Sequence, residues 1–316
     1  MFTNIYIYTA LSALITFYLI KKCLPLLGKY LLDKPNERSS HLKAKPRGGG
    51  IIFVFIGSLF SLFAGNNIPI ICLPLAIVGI IDDLSNLSPV KRYFAQILTV
   101  LVLFYLTIFN DLQIFDFPNY YLLIIYLFLI IGGTAIINFT NFMDGIDGLV
   151  GGCFTVIFIS AALINDISIL PLSGAVFGFL ILNWYPSKVF MGDSGSTFLG
   201  AVLTGLVYNC SDFLSFISLI LISSPLLIDA TVCLIRRYLD NQNIFRPHKL
   251  HLYQRLSQAG LSHSRVSSIY IMTTLILFIS NQFYGLNALF ISFLITLLIG
   301  IYLDIFVALP FRESKN

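Results

Sequence analysis

Six aspartates and several amide side chains recur at spacings that suit a divalent cation and phosphate. The densest group is N-F-T-N-F-M-D-G-I-D-G, Asn138 to Gly148, in which Asn138, Asn141, Asp144 and Asp147 return every third residue. On a helix that spacing keeps four oxygen-bearing side chains on one broad face, drifting about the axis. Gly145 and Gly148 directly follow the two aspartates, so the backbone there can open or approach a ligand closely. An ordinary frayed helix end explains one or two such residues, not four in register. The other carboxylates are the pair Asp82–Asp83, Asp193 in M-G-D-S-G-S, and Asp229. Brought together, such groups raise one another's pKa values unless a cation and basic side chains intervene. Hard carboxylate and amide oxygens suit Mg2+ or Mn2+, and no Cys/His set has the sequence spacing of a zinc site. Gly192, Gly195 and the serines around Asp193 suit backbone amides turned toward a phosphate at a helix start. Bases lie in two loops: Lys43, Lys45 and Arg47 before Gly48–Gly50, and Lys249 and Arg255 with His248 and His251.

The elements that must hold these residues are membrane helices. Of 316 residues, 57% are hydrophobic and 11% charged, whereas ordinary globular chains are about a quarter charged. Apolar runs recur from end to end, and the longer ones reach the roughly 20 residues that cross a bilayer. They are continuous rather than alternating, so helices rather than a barrel are expected. The patterning predicts helices near 2–20, 48–64, 68–81, 93–109, 120–137, 149–164, 169–185, 196–208, 213–235, 266–280 and 287–308. The first run has no base before it and Lys21–Lys22 after it, the reverse of a secretory signal, so it reads as a retained helix. Cys72, Cys153 and Cys233 fall inside apolar runs, which argues against a disulfide framework.

If all eleven helices cross, every one of the 19 Lys and Arg falls in segments on one side. The opposite segments hold Asp111, Asp116, Asp166 and Asp212 and no base. By the positive-inside rule the N-terminus is periplasmic and the C-terminus cytoplasmic. All the unusual polar clusters share the basic side. The expectation is an all-α, polytopic membrane protein of about 11 transmembrane helices, residues 1–316 forming one domain, with its active site on the cytoplasmic face. Asp229 lies within a helix, where a carboxylate is costly and invites a functional reading. Asp304 has no partner legible in the sequence.

These motifs resemble the polyprenyl-phosphate N-acetylhexosamine-1-phosphate transferases, membrane enzymes that start bacterial cell-wall and O-antigen glycans. The resemblance spans nearly the whole chain. It rests on D-D-x-x-N (Asp82, Asp83, Asn86), N-x-x-N-x-x-D-G-x-D-G, the Asn183–Pro186 corner, M-G-D-S-G-S, a P-x-x-D one residue longer here (Pro225 to Asp229), and a histidine loop. It implies transfer of a sugar 1-phosphate from a UDP-N-acetylhexosamine to undecaprenyl phosphate, releasing UMP, with Mg2+ or Mn2+, in the bacterial inner membrane. Asp193 is implied as the principal metal ligand, Asp82 or Asp83 as further ligands beside the lipid phosphate, and His251 as the histidine contacting the diphosphate. Asn138, Asn141, Asp144, Asp147 and Asn183 are implied on the nucleotide, with Lys43, Arg47, Lys249 and Arg255 as substrate-binding bases. The chain reads H-L-Y-Q-R-L from His251 to Leu256, similar to the O-antigen-initiating branch that takes 6-deoxy sugars such as N-acetylfucosamine or N-acetylquinovosamine, with N-acetylglucosamine the other choice. Leu250 departs from the small polar residue of that branch. Direct attack by the lipid phosphate is the preferred route, with a covalent aspartyl intermediate the alternative. A homodimer is compatible with the sequence, and nothing in it points to nucleic acid. The rival class, an ion-coupled transporter or lipid-linked sugar flippase, places its binding residues near the midplane in repeated halves, a pattern not found here.

Overall fold

The computed structural model describes residues 2–33, 44–108, 119–243, 246, 248–312 and 314. Lys43, Asp111 and Asp116 lie outside the described residues. The described chain is built of helices: α1 Phe2–Tyr30, α2 Gly49–Ala64, α3 Ile68–Ser85, α4 Pro89–Thr107, α5 Asn119–Met143, α6 Leu149–Ile164, α7 Leu170–Asn183, α8 Asp193–Tyr208, α9 Phe213–Leu239, α10 Leu252–Gln258 and α11 His263–Phe306. By length and composition, α1, α3, α4, α5, α9 and α11 suffice to cross a membrane. Phe128 and Ile131 on α5, and Leu298 and Ile305 on α11, are more than half exposed. A water-facing surface avoids such a patch; a lipid-facing one requires it. This is a multi-pass, all-α membrane protein.

Several helices run past their expected ends, because polar side chains at the tips find partners that let the helix continue. α3 reaches Ser85, so Asp82 and Asp83 ride in its last turn, and α5 reaches Met143, taking in Asn138 and Asn141. The two helices expected at 266–280 and 287–308 are the halves of α11, broken at Gly285, where φ is 78° and ψ −173°. A side chain would be strained there, and glycine is not. Two small elements were not expected. A two-residue antiparallel ladder pairs β1, Leu32–Asp33, with β2, Lys45–Pro46, and α10 forms inside the stretch read as a loop.

α8 is the centre of the bundle. Every residue from Ser194 to Tyr208 is buried, and α2, α3, α4 and α5 all pack on it. Close approach depends on glycine. A Cβ on Gly79 of α3 would meet Ser194 Cα at 2.5 Å, and one on Gly50 of α2 would meet Gly195 Cα at 2.7 Å. Small residues that let backbones touch are a common way to fasten helices in lipid. Here they fix the N-terminal tip of α8, and with it Asp193.

Candidate active site

At that tip, Asp193 is the first residue of α8. Its backbone N–H and that of Ser194 donate to the Asp83 carboxylate at 3.0 and 3.3 Å. Asp83 thus occupies the amides that the sequence reading offered to a phosphate. The next two, Gly195 and Ser196, donate to Gly192 O. Arg47 Nη1 donates to the same Asp83 at 3.2 Å and lies 3.8 Å from Asp33, so the short β ladder holds Arg47 against α3. Asp82 accepts from Leu87 N at 2.6 Å and from Arg92 Nη1 at 3.1 Å. Arg92 lies 3.7 Å from Asp193 as well. Asn141 Nδ2 completes the group, donating to Asp193 Oδ1 at 3.1 Å and to Ser196 Oγ at 2.9 Å. The Asp193 side chain remains 30% exposed, which leaves it open to a ligand.

The turn between α5 and α6 carries Asp144 and Asp147, which are treated differently. Asp147 is buried and accepts from Ser187 N at 3.0 Å, Ser187 Oγ at 2.8 Å and Lys45 Nζ at 3.3 Å; His263 Nδ1 lies at 3.7 Å. Burial works to raise its pKa, but His263, Ser187 and Lys45 outweigh it and hold the carboxyl below the usual range. Asp144 is half-buried and its carboxylate makes no hydrogen bond among the described residues. Its enclosure, with Asp193, Asp83 and Asp147 nearby and only partly offset by Arg47, pushes it up to about 7. The two aspartates of one motif are therefore one tied and one free.

Asn138 and Asn183 act as fasteners. Asn138 Nδ2 donates to Gln96 Oε1 at 2.7 Å, joining α5 to α4. Asn183 accepts from Gly148 N at 3.0 Å and donates to Val189 O at 2.9 Å. Both are buried and spend these groups on the protein, beside the site rather than facing into it.

The histidine segment is anchored from below by Asp229 of α9. That carboxylate accepts from Leu252 N at 2.8 Å, Tyr253 N at 3.1 Å and Tyr270 Oη at 2.6 Å, so it caps α10. His251 Nδ1 lies 3.6 Å away. His251 is 4% exposed, with its ring against those of His248, Tyr253 and Phe142; it is not the exposed loop histidine that the sequence suggested. Burial beside His251 and Arg237 pushes His248 down to about 3, so its ring is neutral. Tyr253 is buried and donates to Phe142 O at 3.0 Å. Its ring closes on Gly145, where a Cβ would run into Tyr253 Oη. The histidine segment and the Asp144 turn are thereby packed as one piece.

Arg255 departs from its expected role. It is buried, donates to Leu250 O at 3.2 Å and Leu309 O at 2.8 Å, and pairs with Asp304. Arg236 holds the same carboxylate at 2.6 Å, which supplies the partners missing for Asp304. Arg255 therefore braces α10 against the end of α11. Lys249 accepts from Gln258 at its backbone carbonyl and is half-buried. Sequence reasoning missed Arg92, Ser187 and His263. Arg92 and His263 stood at helix beginnings beside recognised motifs, but nothing local marked the carboxylates they reach.

Residues 66–211 match the family described as Glycosyl transferase family 4. Over 315 residues the chain is 28% identical to the probable undecaprenyl-phosphate N-acetylglucosaminyl 1-phosphate transferase of Bacillus subtilis, covering 90% of this chain and 83% of that one. It is 27% identical over 290 residues to a decaprenyl-phosphate N-acetylglucosaminephosphotransferase of Mycobacterium tuberculosis, covering 73% and 70%. A phospho-N-acetylmuramoyl-pentapeptide-transferase of Staphylococcus epidermidis is 28% identical over 300 residues, covering 81% and 92%.

Proposed function

We propose that this chain, whose residues 66–211 match glycosyl transferase family 4, moves an N-acetylhexosamine 1-phosphate from a UDP-sugar to undecaprenyl phosphate on the cytoplasmic face of a bacterial inner membrane. The observation that carries the reading is the tip of α8: Asp193, open to a ligand, is ringed by Asp82, Asp83, Arg47, Arg92 and Asn141. An oxygen of the lipid phosphate attacks the sugar-bearing phosphorus. The bond from that phosphorus to the bridging oxygen breaks, and UMP leaves with the electron pair. A lipid phosphate is largely ionised at neutral pH, its second pKa being about 6, so placement matters more than a general base.

The residues present fit Mg2+ or Mn2+. The donors are hard oxygens, and a divalent cation would offset the burial and the neighbouring carboxylates that together drive Asp144 to about 7. Asp193 and Asp144 have oxygens to offer. Those of Asp82 and Asp83 already accept from the protein, which makes them positioning groups first and ligands second. When bound, the ion neutralises charge on the transferred phosphoryl group. The chain's own part is orientation: Asp83 and Asn141 fix Asp193, Arg47 and Arg92 add positive charge beside it, and His251 donates from the far side. A cavity of about 280 Å³ between α9 and both halves of α11, lined by apolar side chains such as Val232, Ile269 and Leu303, offers room for part of the lipid chain.

The direct test is UMP release by purified protein given lipid phosphate, Mg2+ and a panel of UDP-sugars. The O-antigen reading expects 6-deoxy donors to outrun UDP-N-acetylglucosamine. Tyr253→His should change that ranking without changing metal dependence, because Tyr253 sits beneath the Asp144 turn. No UMP from any donor would end the transferase reading.

The eleven crossings, with α11 counted as two, put the basic segments in the cytoplasm. Tags inserted after Asn67, Asn119 or Asn209 are expected to report from outside, and tags after Lys45 or Gln242 from inside. A tag after Gln242 read from outside would reverse the orientation.

A further inference from the structure

The oxygen-rich centre at α8 is not the sole group of ligating side chains. Cys233 projects from α9 toward the segment that leads into α10, where it meets His248 and His251. One donor atom from each of the three lies within 4.8 Å of the others. Cys233 Sγ is 4.0 Å from His248 Nδ1, and the two imidazole centroids are 4.9 Å apart. No Cys/His set stands at zinc spacing in the sequence, and Cys233 and His248 are fifteen residues apart; the return of the chain from α9 brings them together.

We propose that Cys233, His248 and His251 bind Zn2+, and that the ion withdraws His251 from the transfer reaction. Thiolate and imidazole favour a borderline-soft ion, whereas the carboxylates and amides around Asp193 favour a hard one. The two sites therefore discriminate between metals by donor chemistry. His251 is 4% exposed, and its Nδ1 makes no hydrogen bond within the protein. Asp229 Oδ1 lies 3.6 Å from that nitrogen and is placed to orient the ring, as carboxylates do behind metal-bound histidines, with Nε2 left for the ion. His248 Nδ1 accepts from Leu250 N at 3.2 Å, so that nitrogen carries a lone pair rather than a proton. Tetrahedral zinc puts sulfur and nitrogen ligands about 3.6 Å apart, given its bond lengths. With donor atoms up to 4.8 Å apart, closing to that geometry takes movements of roughly one to one and a half ångströms, shared between the Cys233 side chain and the two rings. On binding, the Cys233 S–H bond breaks, the proton leaves to water and the sulfur pair bonds to zinc. The loss of activity rests on the transferase reading; the binding does not.

The experiment uses detergent-purified full-length protein stripped of metal. Co2+ should develop a thiolate-to-cobalt charge-transfer band in the near ultraviolet, and zinc should bind at one per chain. Cys233→Ala and, separately, His248→Ala should lose the band while melting like the wild type. In saturating Mg2+, added Zn2+ should inhibit the wild type, and Cys233→Ala should need at least ten times more zinc for the same inhibition. A wild type with no cobalt band, or a Cys233→Ala protein that keeps both band and zinc, overturns the site. Inhibition unchanged in Cys233→Ala assigns zinc to the oxygen centre and overturns the withdrawal of His251. Absence of UMP release without zinc refutes the transferase reading instead, and the cobalt band still decides the metal site.

Discussion

Replacing Asp193 with asparagine is expected to lower UMP release by roughly a hundredfold or more, a loss of the size seen when one preorganised charge-stabilising group is removed. The substitution keeps the side chain's size. It leaves the Asp193 N–H bond to Asp83 untouched and keeps an oxygen for the Asn141 amide, so the tip of α8 should fold as before. What disappears is one unit of negative charge at the carboxylate that faces outward. Melting in detergent should stay close to wild type, which separates a lost ligand from a lost fold. In parallel, excess chelator should abolish wild-type activity and added Mg2+ or Mn2+ should restore it. Full activity in chelator would remove the metal from the mechanism.

The second large effect is expected at His251, and its burial changes how the test is made. Alanine there would empty space among three rings and near Asp229, so lost stability would mingle with lost chemistry. Glutamine fills more of that space and still offers a donor to Asp229, making His251→Gln the cleaner variant. Its rate should fall about 10²–10³, the usual cost of one such donor, while its melting remains near wild type. His248→Ala is the comparison. Its ring packs against His251 but lies outside the residues assigned to the reaction, so a loss of only a few-fold is expected. Equal, mild losses in both variants would leave the histidine segment a structural brace.

Much of this fold was readable because lipid imposes a coarse rule. Apolar runs had to be helices, and even the break at Gly285 lay between two runs that the hydropathy separated. The polar clusters were readable for the converse reason, since charge inside such a chain has few harmless explanations. What escaped the sequence were pairings across long separations. Asp304 finds Arg236 from 68 residues away, and Asp147 finds Lys45 from 102. No local spacing encodes those contacts. Arg255 illustrates what spacing misses: a base in a polar loop reads as a substrate ligand, and in the fold three acceptors of the protein also hold it. Asp83 shows a subtler case. Its type and place suggested chemistry at the phosphate, and its two oxygens instead cap the helix that presents Asp193.

The glycine contacts at the tip of α8 also bear on how such a chain can change over generations. Where Gly79 meets Ser194 and Gly50 meets Gly195, backbone touches backbone, and no rotamer can absorb an added carbon. Substitution there moves α2 or α3 bodily, carrying Asp83 away from the amides it caps. The phosphoryl-transfer centre is therefore inherited nearly whole or lost. Around Tyr253 the contacts are side chain to turn, and an exchanged ring can be met by repacking of its neighbours. On the proposed reading, a new sugar preference has its cheapest route through that segment, while the centre at the tip of α8 stays fixed.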